Sequence, residues 1–345
     1  MFRYQPIRRG RDQTHSGPEE YGSACAATRG YPAFTLVAAL GVALLGAGMI
    51  APVVAVALGA AGFRFPFPRI FDRTVMVTLF AALLILGRRL KILALLRQGF
   101  RDSESGIWHA LSGLVLASAV IALLFALAGV AGAEIHGYMI ARSVLRYFPA
   151  ALLIAVLEEA FFRAFLLAGI ERQLGALGAL LASSALYAIV HVMRSPTRFY
   201  LMHFEPWAGV KMLGADAERV IHPKMGPPLL GLFLLGLLLG AAFLLTRRAY
   251  ASLGLHAGFV LGAKTWRTAV SGAIPQWMAG PGSVPLVAAP AAWILSTITL
   301  VVLYLWSRRS ELLVCTEALS RRSPAYPRSS DAVNDSSTGR SGNMT

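Results

Sequence analysis

Residues 156–166 read VLEEAFFRAFL: two glutamates and an arginine inside a run that otherwise belongs in hydrocarbon. An ionisable side chain at the centre of a bilayer costs roughly 2.5–3.5 kcal/mol on insertion scales, so three uncompensated groups would cost about 7–10 kcal/mol. A membrane helix carrying Glu158, Glu159 and Arg163 therefore needs partners for them, and the cluster is a candidate functional site.

The rest of the chain supports a membrane setting. Of 345 residues, 56% are hydrophobic and 14% charged, where soluble domains carry about 25% charged residues. Apolar runs long enough to span a bilayer fall near 34–60, 70–87, 107–132, 144–170, 178–202, 227–246, 249–268 and 286–306. The expected fold is thus all-α: a polytopic membrane protein of about eight transmembrane helices, occupying residues 33–306. Polar tails at 1–32 and 307–345, rich in Arg, Ser and Pro, are expected to be disordered. The segment 203–226, with Pro206, Pro223, His203, Glu205 and His222, reads as a surface loop or lid in preference to an extra metal site, because its ligand-type residues lack helical spacing.

The formal net charge of +15 does not imply a nucleic-acid partner, since Lys and Arg cluster between apolar runs and in the tails. They read as topology signals. Arg3, Arg8, Arg9 and Arg11 precede the first run, and Arg88, Arg89, Lys91, Arg97 and Arg101 follow the second. Arg247 and Arg248 separate the sixth from the seventh, and Arg308, Arg309, Arg321 and Arg322 follow the eighth. With eight spans all four groups share one side, which puts both termini in the cytoplasm; Arg64, Arg69 and Arg73 count the other way. Richness in Ala, Leu and Arg suggests a high-GC bacterial genome, and with it the inner membrane. Cys25 and Cys315 recommend neither a disulfide nor a thiolate metal site. No cleavable signal peptide is expected, because the first apolar run starts some thirty residues in and is too long for one.

Three helices supply ionisable groups. On a helix, Glu159 and Arg163 lie four residues and about 40° apart and can pair, whereas Glu158 points about 100° away. The plainer reading is a helix staple with a protonated Glu158. His191 follows Tyr187 by one turn near the end of its run; alone it reads as interfacial. His256 lies about 160° from a ridge of Gly254, Gly258 and Gly262, so one face is shaped for close packing and the other presents an imidazole. Its plainer reading is a buried histidine bonded to a carbonyl. Gly236 and Gly240 form a further small-residue ridge. If the three faces converge, one carboxylate and two imidazoles could activate water and steady an oxyanion, or serve as zinc ligands.

The set Glu158-Glu159-Ala-Phe-Phe-Arg163, Tyr187-Ala-Ile-Val-His191 and His256 resembles the signature of the CPBP family of intramembrane proteases, the CAAX prenyl protease and bacteriocin-processing (Abi) enzymes, over roughly residues 144–268. The resemblance implies an endopeptidase opening to the cytosolic side and acting on a membrane-associated or lipid-modified protein. It makes Glu158 the general base with His191, and His256 an oxyanion stabiliser, with Glu159 and Arg163 holding the first helix in register. Metal-free catalysis is expected; zinc or another divalent metal, held by Glu158, His191 and His256, is the other option. Two residues depart from the family pattern: Tyr187 stands in place of Phe, and Val260 in place of the Asn four residues after His256. Losing one oxyanion donor costs about 10²–10³ in turnover, and Ser252 or the Tyr187 hydroxyl could substitute. Lys264, about 12 Å along the axis from His256, is too far to do so. Val260 also makes room for an alternative, a catalytically silent scaffold or immunity protein of the same fold. A proton-coupled transporter using Glu158 is the third option, but no inverted repeat supports it.

Overall fold

The computed structural model describes residues 33–89, 92–101, 103–193, 199–280 and 286–305. The two tails, with Cys25, Cys315 and all the terminal arginines used for orientation, lie outside the described residues. The fold is helical. In chain order the helices are α1 (Ala33–Ala60), α2 (Phe67–Arg89), α3 (Ile92–Gly99), α4 (Ser103–Val130), α5 (Gly137–Glu159), a π-helical segment (Ala160–Leu167), α6 (Ala168–Val192), α7 (Ala208–Ile221), α8 (Gly226–Thr246), α9 (Ala249–Ala269), α10 (Gln276–Ala279) and α11 (Pro290–Leu305). Two short strands, β1 (Glu134–Ile135) and β2 (Val270–Ser271), pair antiparallel and tie the α4–α5 connection to the end of α9.

Long helices stand where the apolar runs were read, but not all are apolar enough to count as spans. Leu40–Ala60, Ser105–Val130, Gln173–Val192 and Pro223–Thr246 have the length and composition to cross a membrane, and Pro290–Leu305 is a shorter apolar helix. The long helices that fall short, α2, α5 and α9, carry Arg69, Asp72 and Arg73, Glu158 and Glu159, and Lys264 and Arg267 respectively. In α5 and α9 the ionisable residues that lower the hydropathy include those of the candidate site, whereas α6, which carries His191, still qualifies as a span.

Two expectations need correction. The fifth run is expected to reach residue 202, but α6 ends at Val192, where the cap residue Met193 leaves helical geometry at ψ 10°. The segment 203–226 is not simply a loop: it contains the 14-residue helix α7. That helix packs its Ala208 and Met212 into a cluster with Ala51, Ala55, Phe67, Ile70 and Phe71 of α1 and α2. Glu205 there pairs with Lys211, and the His222 ring accepts from the Lys224 backbone N–H.

Glycine ridges set the closest approaches. A Cβ on Gly254 would overlap the Ala110 carbonyl of α4, one on Gly258 would meet Ala117, and one on Gly262 would meet Ile121. The expected ridge of α9 thus packs on α4. Likewise Gly236 and Gly240 of α8 admit Ser184 and Leu180 of α6. The tight α8–α9 turn places Arg247 in the left-handed region at φ 54°, and one ion pair and one hydrogen bond brace it: Arg247 to Glu171 at 2.7 Å and Arg248 Nη1 donating to Ser105 Oγ at 2.6 Å.

Candidate active site

The chain reverses at Gly175, whose backbone (φ 69°, ψ 170°) breaks the helix in a conformation that L side chains resist. Phe162 then faces Tyr187 across the hairpin, with ring centroids 5.1 Å apart. One turn further from the bend, Glu158 faces His191. The two motif residues are nearly equidistant from Gly175 along the chain, so an antiparallel hairpin must bring them level. The π-helical segment lies in the arm carrying Arg163: the Ala168 N–H donates to the Arg163 carbonyl, five residues back. Such widened turns recur at functional sites.

Glu158 Oε2 lies 3.1 Å from His191 Nε2 and 3.5 Å from His256 Nε2. The three faces therefore converge. Behind each imidazole stands a second acceptor. His191 Nδ1 lies 2.8 Å from the Tyr187 carbonyl, and His256 Nδ1 lies 2.8 Å from Glu159 Oε1. A carbonyl and a carboxylate only accept, so both Nδ1 atoms carry hydrogen and both Nε2 atoms turn toward Glu158. A neutral ring would aim a lone pair at a carboxylate oxygen; the cluster therefore holds at least one shared proton, on Glu158 or on a ring.

Glu159 has a larger role than the staple read from the sequence. It is fully buried and bridges two helices: Oε2 is 3.5 Å from Arg163 Nε while Oε1 fixes the His256 ring. Arg163, also fully buried, has its guanidinium carbon 5.3 Å from the Tyr187 ring centroid and a long contact to the Gly236 carbonyl. It thus neutralises Glu159 from below and supports Tyr187 from the side. Ser252 is buried beside Glu159 and donates to the Ala249 carbonyl at 3.0 Å; it does not line the cavity. Tyr187 does, with its hydroxyl 3.5 Å from His256 Nε2.

A cavity of about 250 Å³ opens over these groups. Glu158, Tyr187, His191 and His256 form its polar end, and Val260 forms part of its wall. The remainder is largely apolar, closed on one side by Gly231, Val287 and Trp293, whose indole N–H donates to the Val287 carbonyl. The cavity runs along α9 from His256 past Val260 and Ala263 to Lys264 and Arg267, which the sequence reading had not assigned to it. Among the described residues, no group of three His, Cys, Asp or Glu side chains is arranged to hold a metal ion.

A half-buried carboxylate shared by two oriented imidazoles, at the polar end of a largely apolar cavity between helices, defines a candidate hydrolytic centre. Residues 140–262 match the family model described as Type II CAAX prenyl endopeptidase Rce1-like. That segment is similar to this family of proteases, in agreement with the CPBP/CAAX resemblance carried by the motifs. No curated protein and no solved structure matches the chain.

Proposed function

We propose that the protein is an intramembrane endopeptidase that hydrolyses a peptide bond in a membrane-associated or lipid-modified protein with a glutamate-activated water. The observation that carries this reading is Glu158 Oε2 within 3.1 Å and 3.5 Å of two imidazole Nε2 atoms at the wall of a cavity. Glu158, as the carboxylate, takes a proton from water while His191 steadies it. The water oxygen bonds to the scissile carbonyl carbon, and the carbonyl electron pair moves onto its oxygen. That oxyanion is met by His256 Nε2–H, with Glu159 behind the ring to stabilise the imidazolium, and by the Tyr187 hydroxyl. Collapse then breaks the C–N bond as Glu158 returns its proton to the departing amine.

Tyr187 supplies the donor that Val260 lacks. The family's amide side chain is absent on α9, but a hydroxyl from α6 stands 3.5 Å from the same imidazole nitrogen. One carboxylate and two imidazoles can do this work without a metal. The reading places all eight long helices across a bacterial inner membrane with both termini cytoplasmic.

The test is membrane proteomics of cells carrying wild-type protein or Glu158→Gln. Accumulation of one or a few uncut membrane proteins in the variant supports the proposal. Identical profiles, with the variant present at wild-type level, reject it.

A further inference from the structure

Between the end of α2 and the start of α4 the chain holds Arg88, Arg89, Lys91, Arg97 and Arg101 with no acid among them, before Asp102 and Glu104 follow. Within α3, Ile92, Leu95, Leu96 and Gly99 recur at the spacing of one helix face, and Arg97 and Gln98 fall on the other. The apolar face is seated. Leu96 and Phe100 pack against the buried cluster that includes Phe162 and Phe165. A Cβ on Gly99 would lie 2.8 Å from that of Ala164, in the π-helical segment. The Tyr250 hydroxyl donates to the Phe100 carbonyl and holds the end of the helix. The polar face is open. Arg97, Gln98 and Arg101 are exposed, and neither arginine forms an ion pair with a described acidic residue. Arg248 Nη1, donating to Ser105 Oγ, brings the α8–α9 turn to the same end of the molecule. One to two turns into α4, Ile107 and Trp108 are 57% and 73% exposed, and an exposed indole at the end of a span suits headgroup depth. A topology signal needs only charge in a connection; here the charge is fixed on a packed helix.

We infer that this face of α3 binds the phosphodiester headgroup of an anionic phospholipid, with Arg97 and Arg101 as its ligands. A guanidinium meets a phosphate with two parallel N–H donors. An anionic headgroup offers that phosphate with its charge intact, whereas the ammonium of a zwitterionic one cancels it. The occupant is a lipid and not a soluble phosphate, because the arginines are followed along the chain by the exposed Ile107 and Trp108, which acyl chains would cover. Two arginines at an anionic surface together strengthen binding roughly twenty- to thirtyfold. The effect reaches inward. Gly99 leans on Ala164, the neighbour of Arg163, so a lipid that holds α3 also steadies the arm on which Arg163 pairs with Glu159. Nothing in this depends on the chemistry at Glu158.

Full-length protein in a neutral detergent is titrated with phosphatidylglycerol or phosphatidylcholine of the same acyl chains. Bound lipids are counted by native mass spectrometry, and Tm is read in parallel. Wild type should bind its first phosphatidylglycerol at least tenfold more tightly than phosphatidylcholine, with the larger rise in Tm, and the preference should shrink as salt is raised. Arg97→Gln/Arg101→Gln should lose at least tenfold of that preference, while Arg97→Lys/Arg101→Lys should keep most of it. Arg64→Gln/Arg69→Gln, which removes two exposed arginines around the α1–α2 connection, should bind as wild type. A second measurement needs no substitution: phosphatidylglycerol, and not phosphatidylcholine, should slow amide hydrogen exchange at residues 92–101 of wild type. Equal affinity for the two lipids overturns the inference. So does a preference that survives the α3 Gln pair, one lost equally with the Arg64/Arg69 pair, or unchanged exchange at 92–101. Displacement of the bound lipid by inorganic phosphate at equal concentration would make this a simple anion site and overturn the lipid assignment.

Discussion

The two faces of α9 are built by opposite rules. Toward α4 the helix shows Gly254, Gly258 and Gly262, where any added carbon collides with Ala110, Ala117 or Ile121. Toward the cavity it shows His256, Val260, Ala263, Lys264 and Arg267, with space in front of them. One face has no side chains so that backbones can touch; the other carries the polar groups that line the cavity. The close-packed face fixes the rotation of the helix, and that rotation aims His256 at Glu158. In a membrane, where apolar burial does not distinguish helix from lipid, such close contact is a main source of helix association.

The largest effect should follow from filling the seam. Gly254→Leu would drive a side chain into the α4 backbone, and folded, monodisperse protein should be lost on size-exclusion chromatography. Gly41→Leu, on α1 with open space around it, should purify as wild type. Equal yields would show that the ridge does not set the helix position.

On the cavity face, Tyr187→Phe removes the hydroxyl near His256 and should lower kcat about 10²–10³-fold, the usual cost of one oxyanion donor. Adding Val260→Asn to it should recover a tenfold or greater part of that loss by supplying a donor from α9. No rescue would mean that Tyr187 acts otherwise. Glu159→Gln leaves His256 Nδ1 an acceptor but removes the charge that stabilises its protonated form, and buried Arg163 loses its counter-ion. Turnover should fall about tenfold to a hundredfold, with thermal stability reduced as well.

The smallest effect lies away from the site, on α7. Asp216 is buried there, and that burial, with the nearby Asp72 carboxylate, raises its pKa to about 7 against the pull of Arg219. A carboxyl whose pKa is higher folded than unfolded favours the native state when protonated, so its contribution weakens as pH rises from the ordinary carboxylate range through about 7. The Tm of wild type should fall between pH 6 and pH 8, and Asp216→Asn should flatten that slope while leaving cleavage intact. Parallel slopes would remove Asp216 from the account.

Much of this was legible in the sequence, and the reason differs by element. Glu158, His191 and His256 were marked by the cost of burying ionisable groups, and the glycine ridge by its period of four. Both are local rules that survive in any tertiary context. The role of Glu159 was not legible: spacing tied it to Arg163, and only the inter-helix packing shows its other oxygen on His256. The π-helical turn has no composition signal in AFFRAFLL, since each of its residues also suits an ordinary helix. Helix α7 was hidden because its pattern is short and polar and flanked by prolines. Lys264 reads as too remote to aid the oxyanion, and its place in the cavity wall depends on packing that spacing alone does not show.

The most direct trial of the central claim is a search for newly formed N-termini. Wild-type, Glu158→Gln and His191→Ala proteins in nanodiscs are each mixed with solubilised membrane proteins, and N-termini are quantified. The account predicts new termini within or beside apolar segments with wild type, reduced at least a thousandfold by Glu158→Gln and at least a hundredfold by His191→Ala, with all three proteins equally folded. Cleavage that persists undiminished in Glu158→Gln would contradict it.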